Sequence, residues 1–184
     1  SVNLAIKLQQ AGKRVLILDA DIGMSNANII LGIEPPLSLS QLLKGEATLE
    51  EIVMQGPEGV DLISGGADLF LMEALDKGKQ KEIIESLNGL GVYDIIIIDN
   101  GAGITKQSLT FSTFSHEIVL ITTPEPTALT DAYRVLKINS IYKLKDRVKL
   151  VVNQIQKRTQ GDEAYRKLQL TSERFLKINV ENLG

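Results

Sequence analysis

Several residue types that often carry chemistry are absent or scarce in this chain of 184 residues. It has no cysteine and no tryptophan, and its only histidine is His116. Without cysteine there is no disulfide framework, no thiolate metal site and no thiol nucleophile. His116 opens an apolar run and has no set of ligand-type partners nearby, so we expect a surface or structural histidine.

The chain also lacks an excess of positive charge and a long apolar run. Its net charge is -3, with 20 Lys and Arg against 23 Asp and Glu, so no overall basic field attracts nucleic acid. A local basic run predicts a solvated turn between a helix and a strand; it comprises Lys143, Lys145, Arg147 and Lys149. No apolar stretch reaches the roughly 18 residues of a membrane span.

A phosphate-binding loop of the form G-x-x-x-x-G-K-[ST] does not occur in these residues. The helical pattern is already under way at residue 1. Because a domain rarely starts inside an element, we expect residues 1–184 to be a single domain that is truncated at both ends.

Apolar strand patterns alternate with helical patterns after the opening helix. Strands are predicted at 14–19, 60–64, 93–99, 117–122 and 148–153. Helices are predicted at 25–31, 39–43, 48–54, 69–75, 79–90, 106–114, 127–142 and 162–176. This order predicts an α/β fold with a doubly wound, mainly parallel sheet flanked by helices in three layers. The four isoleucines before Asp99 predict a central strand buried on both faces.

Polar residues end several of the predicted strands, where ligands bind in open α/β sheets. Asp19 and Asp21 follow one strand, and Asp99 ends another. Three carboxylates at one edge repel one another unless a cation lies among them, and a Mg²⁺-nucleotide supplies that cation. An acidic residue after an apolar strand is the Walker-B arrangement that holds Mg²⁺, and Gly101 and Gly103 let the backbone approach a phosphate.

An alternative for each of these residues is structural. Asp99 with its glycines is equally an acidic strand end with a turn. Asp21 or Ser25 could cap a helix at 26–31, which local rules alone favour over a site. For chemistry, Asp21 would accept a proton from a water that attacks a γ-phosphate, or orient that water, and Asp19 would lie nearer the metal.

Three ordered stretches resemble the deviant-Walker ATPases of the MinD/ParA group, and most closely its FlhG branch, also called FleN or YlxH. They are "SVNLAIKLQQAGKRVLILDADIGMSNANIILGI", "YDIIIIDNGAGI" and "TTPEPTALTDAYRVLK". The resemblance covers essentially the whole chain and implies a P-loop NTPase fold whose phosphate loop precedes residue 1. One departure is Asn100, where the family usually has a small hydroxyl residue or proline.

The resemblance implies roles for matching residues. Asp21 and Asp19 would serve catalysis, Asp99 and Asp19 would hold Mg²⁺, and the cofactors would be ATP and ADP. Asn153 matches the residue that contacts adenine, although a polar strand end is its bland alternative. Glu125 matches a loop near the dimer interface and is a weaker candidate.

The resemblance further implies an ATP-bound homodimer that regulates flagellar number and placement. Its expected partners are flagellar regulators, such as the SRP-type GTPase FlhF, or flagellar switch and transcription proteins; no nucleic acid is expected. The intact protein would be cytoplasmic and associate peripherally with the membrane through a C-terminal helix that lies beyond Gly184. The alternatives are a division-site MinD, a nucleotide-independent interaction module, and a biosynthetic ligase on this fold. These residues alone are expected to be inactive.

Overall fold

The computed structural model describes residues 1–21, 24–66, 68 and 76–184. These residues form two compact units, Ser1–Ala102 and Gly103–Gly184. Each unit has a mainly or wholly parallel sheet with its own helices, so the predicted α/β organisation is confirmed. That residues 1–184 act as a single domain stays a prediction.

The first unit has a four-stranded sheet in the order β2-β3-β1-β4. Its elements are α1 (Val2–Gln10), β1 (Val15–Asp19), α2 (Ala27–Leu31), α3 (Leu39–Lys44), β2 (Met54–Gln55), β3 (Asp61–Ile63), α4 (Lys77–Gly89) and β4 (Ile95–Asp99). β3, β1 and β4 are parallel, and β2 pairs antiparallel to β3.

β1 is the central strand of this sheet because it pairs with β3 on one side and β4 on the other. All five of its residues are buried. The opening helix α1 packs on it through Val2 and Ala5, which share one apolar cluster with Val15 and Ile17. β1 is therefore held by a strand on either side and by α1.

Within the described sheet of the first unit, β4 does not have the central position that its four isoleucines predicted. It is the end strand of the first unit's sheet, and all five of its residues are half-buried. An isoleucine run specifies an extended, apolar segment, but the number of neighbouring strands depends on long-range pairing.

The second unit has a parallel three-stranded sheet in the order β5-β6-β7. Its elements are α5 (Lys106–Phe114), β5 (Ile118–Thr122), α6 (Pro126–Ile141), β6 (Val148–Val152), α7 (Arg158–Leu176) and β7 (Glu181–Asn182). Alternate residues of β6 are buried and pack with Leu136 of α6 and Leu168 of α7.

The helix predicted at 48–54 is wrong. Thr48 and Glu51 do exchange backbone–side-chain hydrogen bonds of 2.8 and 3.4 Å, as at a helix start. Only a turn follows, because Met54 and Gln55 pair with β3 instead. Tertiary pairing thus overrides the local helix signal. The helix predicted at 69–75 lies outside the described residues.

The basic run forms the predicted turn between α6 and β6. Residues Lys145–Arg147 make one 3₁₀ turn, Arg147 donates to the Ser115 carbonyl at 2.9 Å, and Lys149 pairs with Glu117 at 2.7 Å. His116 is exposed. Within the parts of the chain that the structure describes, no helix has the length and apolar character needed to cross a membrane.

Candidate functional site

The carboxyl ends of β1 and β4 lie side by side. Asp19 and Asp99 are register partners in the parallel ladder, and the Ala20 N–H donates to the Asp99 carbonyl at 2.8 Å. The sheet therefore places these two carboxylates together, as the sequence predicted. Asp19 is only 1% exposed, whereas Asp99 is half-buried.

The Asp19 carboxylate accepts four hydrogen bonds from the loop that follows it. Its Oδ1 accepts the Asp21 N–H at 3.1 Å. Its Oδ2 accepts the Ser25 hydroxyl at 2.7 Å and the amides of Asn26 and Ala27 at 3.2 and 3.1 Å. Such bonds to a charged acceptor are stronger than neutral ones, so Asp19 holds Asp21, Ser25 and the start of α2 in place.

These bonds correct the predicted helix cap. Neither Asp21 nor Ser25 caps α2; Asn26 is the N-cap residue, and its side chain makes no capping bond. The free amides at the helix start are instead satisfied by Asp19, from the end of β1. Asp19 therefore has a structural role at the start of α2.

Asp21 lies against the backbone of Gly101. A Cβ atom at residue 101 would stand 2.7 Å from Oδ1 and 3.0 Å from Oδ2 of Asp21, closer than atoms can approach without a shift. Glycine is therefore required at this position if Asp21 keeps its place. The contact joins the loop after β1 to the loop after β4.

The surroundings of Asp21 raise the pKa of its carboxyl group. Burial is the largest cause, followed by the negative charges of Asp19 and Asp99. Hydrogen-bond donors do not offset this repulsion, since neither the Asp21 nor the Asp99 carboxylate accepts a bond from the residues that the structure describes.

This arrangement fits a divalent cation with few protein ligands. Among the described residues, no group of three or more His, Asp and Glu side chains forms a metal cage. Mg²⁺ commonly takes one or two carboxylates and completes its shell with water and phosphate oxygens. Asp99, with its unused oxygens, suits that role, and a cation there would relieve the charge repulsion on Asp21.

The second unit carries neutral polar groups at its strand ends. Asn153 follows β6, and its N–H donates to the carbonyl of Thr122 at 2.8 Å. Its side chain is exposed. The amide has both a donor and acceptors to offer to a ligand.

Glu125 and three glutamines line a depression of about 290 Å³ in the second unit. The glutamines are Gln154, Gln156 and Gln160, and the sequence analysis overlooked them. The Thr123 hydroxyl bonds to Glu125, and this bond is the main cause that lowers the pKa of Glu125. The "NQIQ" run directly after an apolar strand was the available signal.

Gly103, at φ +85°, has open space around it.

Comparisons with known proteins show the family of this chain. The sequence model of a family described as "AAA domain" matches residues 1–154. The chain is 29% identical over its whole length to the antiactivator FleN of Pseudomonas aeruginosa, of which it covers 66%. It is also 37% identical to the flagellum site-determining protein YlxH of Helicobacter pylori, of which it covers 60%. The chain thus spans about two thirds or less of these relatives.

A solved structure shows the same fold. The septum site-determining protein MinD of Pyrococcus horikoshii, complexed with Mg-ADP, is 28% identical with a TM-score of 0.76, over 90% of this chain and 69% of that one. The chain belongs to this AAA-domain family of P-loop ATPases, in its MinD/ParA group.

Proposed function

We propose that this chain is the larger part of a MinD-like ATPase that binds ATP with Mg²⁺ and uses hydrolysis as a switch. The contact of Asp21 with Gly101 carries the proposal. It couples the two loops that follow β1 and β4, where a terminal phosphate or its loss changes the loop contacts.

Asp21 is the residue that handles the attacking water. Its carboxylate is half-buried and accepts no hydrogen bond from the described residues, so its oxygens are available to a water molecule. Orienting a nucleophilic water is the task that phosphoryl transfer leaves to a side chain. The backbone N–H of Asp21 donates to the Asp19 carboxylate, and this bond fixes the start of the loop.

Asp99 is the proposed metal ligand, and Asp19, whose oxygens already accept four hydrogen bonds, adds negative charge beside it. When bound, Mg²⁺ supplies positive charge that balances the phosphates and the three carboxylates. Gly101 and Gly103 keep the backbone open to a phosphate group. Residues 1–184 contain no G-x-x-x-x-G-K-[ST] stretch, so we expect these residues alone to bind nucleotide weakly.

Asn153 recognises the adenine base in this proposal. Its exposed amide can pair with both a donor and an acceptor on the base edge. The glutamine-lined depression in the second unit offers further neutral hydrogen-bonding groups. Glu125, held by Thr123, is the weaker candidate, for a contact across a dimer.

The role in the cell follows the flagellar relatives. FleN and YlxH favour control of flagellar number or placement over division-site placement. An ATP-bound homodimer in the cytoplasm, with peripheral attachment to the membrane, would act on flagellar regulators, such as an FlhF-type GTPase. ATP hydrolysis would release that dimer from the membrane or from a partner.

The test is Asp21→Ala in the full-length protein that contains this sequence. A residue that positions the attacking water typically contributes about 10²- to 10⁴-fold, so kcat should fall at least about 100-fold. Affinity for ATP should stay within about twofold, because Asp21 acts in the chemical step. Phosphate release and calorimetry measure the two quantities.

Asp146→Asn is the matched control, since it removes a carboxylate from the 3₁₀ turn of the second unit. It should hydrolyse ATP at the wild-type rate. Wild-type turnover by Asp21→Ala would contradict the proposal. Tight, micromolar binding of ATP by the 184 residues alone would contradict the expected weakness of this chain without its phosphate loop.

A further inference from the structure

Two serine hydroxyls connect Asp19 to the end of a different strand. The Ser25 Oγ lies 2.7 Å from Asp19 Oδ2 and 3.3 Å from the Ser64 Oγ. The Ser64 Oγ in turn lies 3.3 Å from the Gly66 backbone nitrogen. Ser64 follows β3, which is the neighbour of β1 in the sheet.

The donors and acceptors fix the direction of this chain of bonds. The Ser25 hydroxyl donates to Asp19 Oδ2, so its single proton points to Asp19. At the contact between the hydroxyls Ser25 must then accept, and Ser64 must donate. Ser64 itself accepts the N–H of Gly66. The bonds run one way, from Gly66 through the two hydroxyls to the carboxylate.

Asp19 and Ser64 lie where water competes poorly, and Ser25 between them is half-buried. Asp19 is 1% exposed and Ser64 is 7% exposed. Aligned hydrogen bonds of low exposure strengthen one another, and removal of one donor leaves buried partners unsatisfied. The Ser64 carbonyl also accepts the Leu39 N–H at 2.8 Å, so Ser64 is anchored to α3 as well as to β3.

We propose that Ser25 and Ser64 are positioning residues, which act through Asp19 to hold the loop that carries Asp21 in its place beside Gly101. The inference rests on the proposed function, because the loop positions Asp21 for hydrolysis. Ser25 ties the far side of the loop to Asp19, and Ser64 ties Ser25 to a second strand. A small misplacement of Asp21 slows the chemical step more than it weakens nucleotide binding.

The first experiment measures turnover in the full-length protein. Ser25→Ala should lower kcat on the order of 10-fold, with KM for ATP within about twofold. Ser25→Thr keeps the hydroxyl, and Ser25 is only half-buried, so kcat should return to within about twofold of wild type. An unchanged kcat in Ser25→Ala, or an equal loss in Ser25→Thr, would overturn the inference.

The matched control is Ser40→Ala. The Ser40 hydroxyl is also buried in the first unit, but it has no hydrogen-bond partner among the described residues. Its removal should leave kcat unchanged. The double variant Ser25→Ala/Ser64→Ala should lose no more kcat than Ser25→Ala alone, because both substitutions break the same series of hydrogen bonds. Additive losses of kcat would contradict the inference that Ser25 and Ser64 act together through Asp19.

The second experiment does not depend on ATP. Amide hydrogen exchange at Asp21, Asn26 and Ala27, without nucleotide, should be about fivefold faster in Ser25→Ala than in Ser40→Ala, which is the loss of one net hydrogen bond. If the wild type hydrolyses no ATP, the proposed function fails. The exchange comparison then tests by itself whether the hydroxyl of Ser25 holds the loop. Equal exchange in the two variants would then overturn the inference.

Discussion

The carboxyl ends of β1 and β4 carry charge, whereas those of β5 and β6 carry neutral polar groups. In the first unit, Asp19, Asp21 and Asp99 lie close enough that two of them raise the pKa of the third. In the second unit, Asn153 and a glutamine-lined depression occupy the corresponding ends. Like charges need a cation, whereas amides recognise a neutral hydrogen-bonding partner.

The two regions also differ in how firmly they are held. Asp19 accepts four hydrogen bonds, and Asp21 fits only because residue 101 has no side chain. The Asn153 side chain is exposed. Substitutions in the first region should therefore affect the chemical step, and those in the second should affect binding.

Gly101→Ala should produce the largest effect after Asp21→Ala itself. The new methyl group would stand 2.7 Å from Asp21 Oδ1, so Asp21 must move. We expect kcat in the full-length protein to fall about 100-fold, as a displacement near 1 Å can cause. Gly89→Ala is the matched control, because nothing lies within 4 Å of a methyl group there. Equal kcat in both variants would refute the contact.

Asn153→Ala tests the second region. Loss of a base contact worth about 1.4 kcal/mol should raise KM for ATP about tenfold and leave kcat nearly unchanged. Discrimination between ATP and GTP should weaken as well. Asn88→Ala, an exposed amide of α4, serves as the control for KM. A fall in kcat without a change in KM would reverse the assignment of the two regions.

Tyr93→Phe tests the opposite end of β4, where stability rather than turnover should respond. The Tyr93 hydroxyl donates to Asp61 at 2.9 Å, and its loss should lower the free energy of unfolding by about 1 kcal/mol in urea titrations. Burial and then the Asp61 bond raise the pKa of Tyr93. The stabilisation from the Tyr93 hydroxyl should be complete below the ordinary tyrosine pKa of about 10. It should disappear as the pH rises through the raised pKa. A loss of kcat without a loss of stability would contradict the assignment of Tyr93 to stability.

Asp94→Asn should have the smallest effect, confined to acid stability. The Arg14 backbone N–H, at 2.8 Å, and then its side chain lower the pKa of Asp94. The stabilisation that the Asp94 carboxylate provides is present above the ordinary carboxyl pKa of about 4. It is lost as the pH falls through the lowered pKa of Asp94. The variant should therefore show a flatter loss of stability in acid. Denaturation midpoints across this pH range measure it, and an unchanged slope would contradict it.

Most elements could be predicted from local pattern. The strand at 14–19 and the helices at 106–114 and 127–142 match the observed β1, α5 and α6 closely. Their signals are local: β1 is a continuous apolar run, α5 begins at the capping box of Thr105, and α6 begins at Pro126. β2 and β7 were missed, since each has two residues and depends on its partner strand. The helix predicted at 48–54 failed for the same reason.

Sequence alone determined the residue types at the strand ends and the family to which they point. The spacing of Asp19 and Asp21, the apolar run before Asp99 and the glycine at 101 are all local properties. Tertiary structure decided which groups meet. Asp19 caps α2, Asp21 lies on Gly101, and Ser64 reaches Ser25 from 39 residues away, because strand pairing brings together segments that no local rule connects.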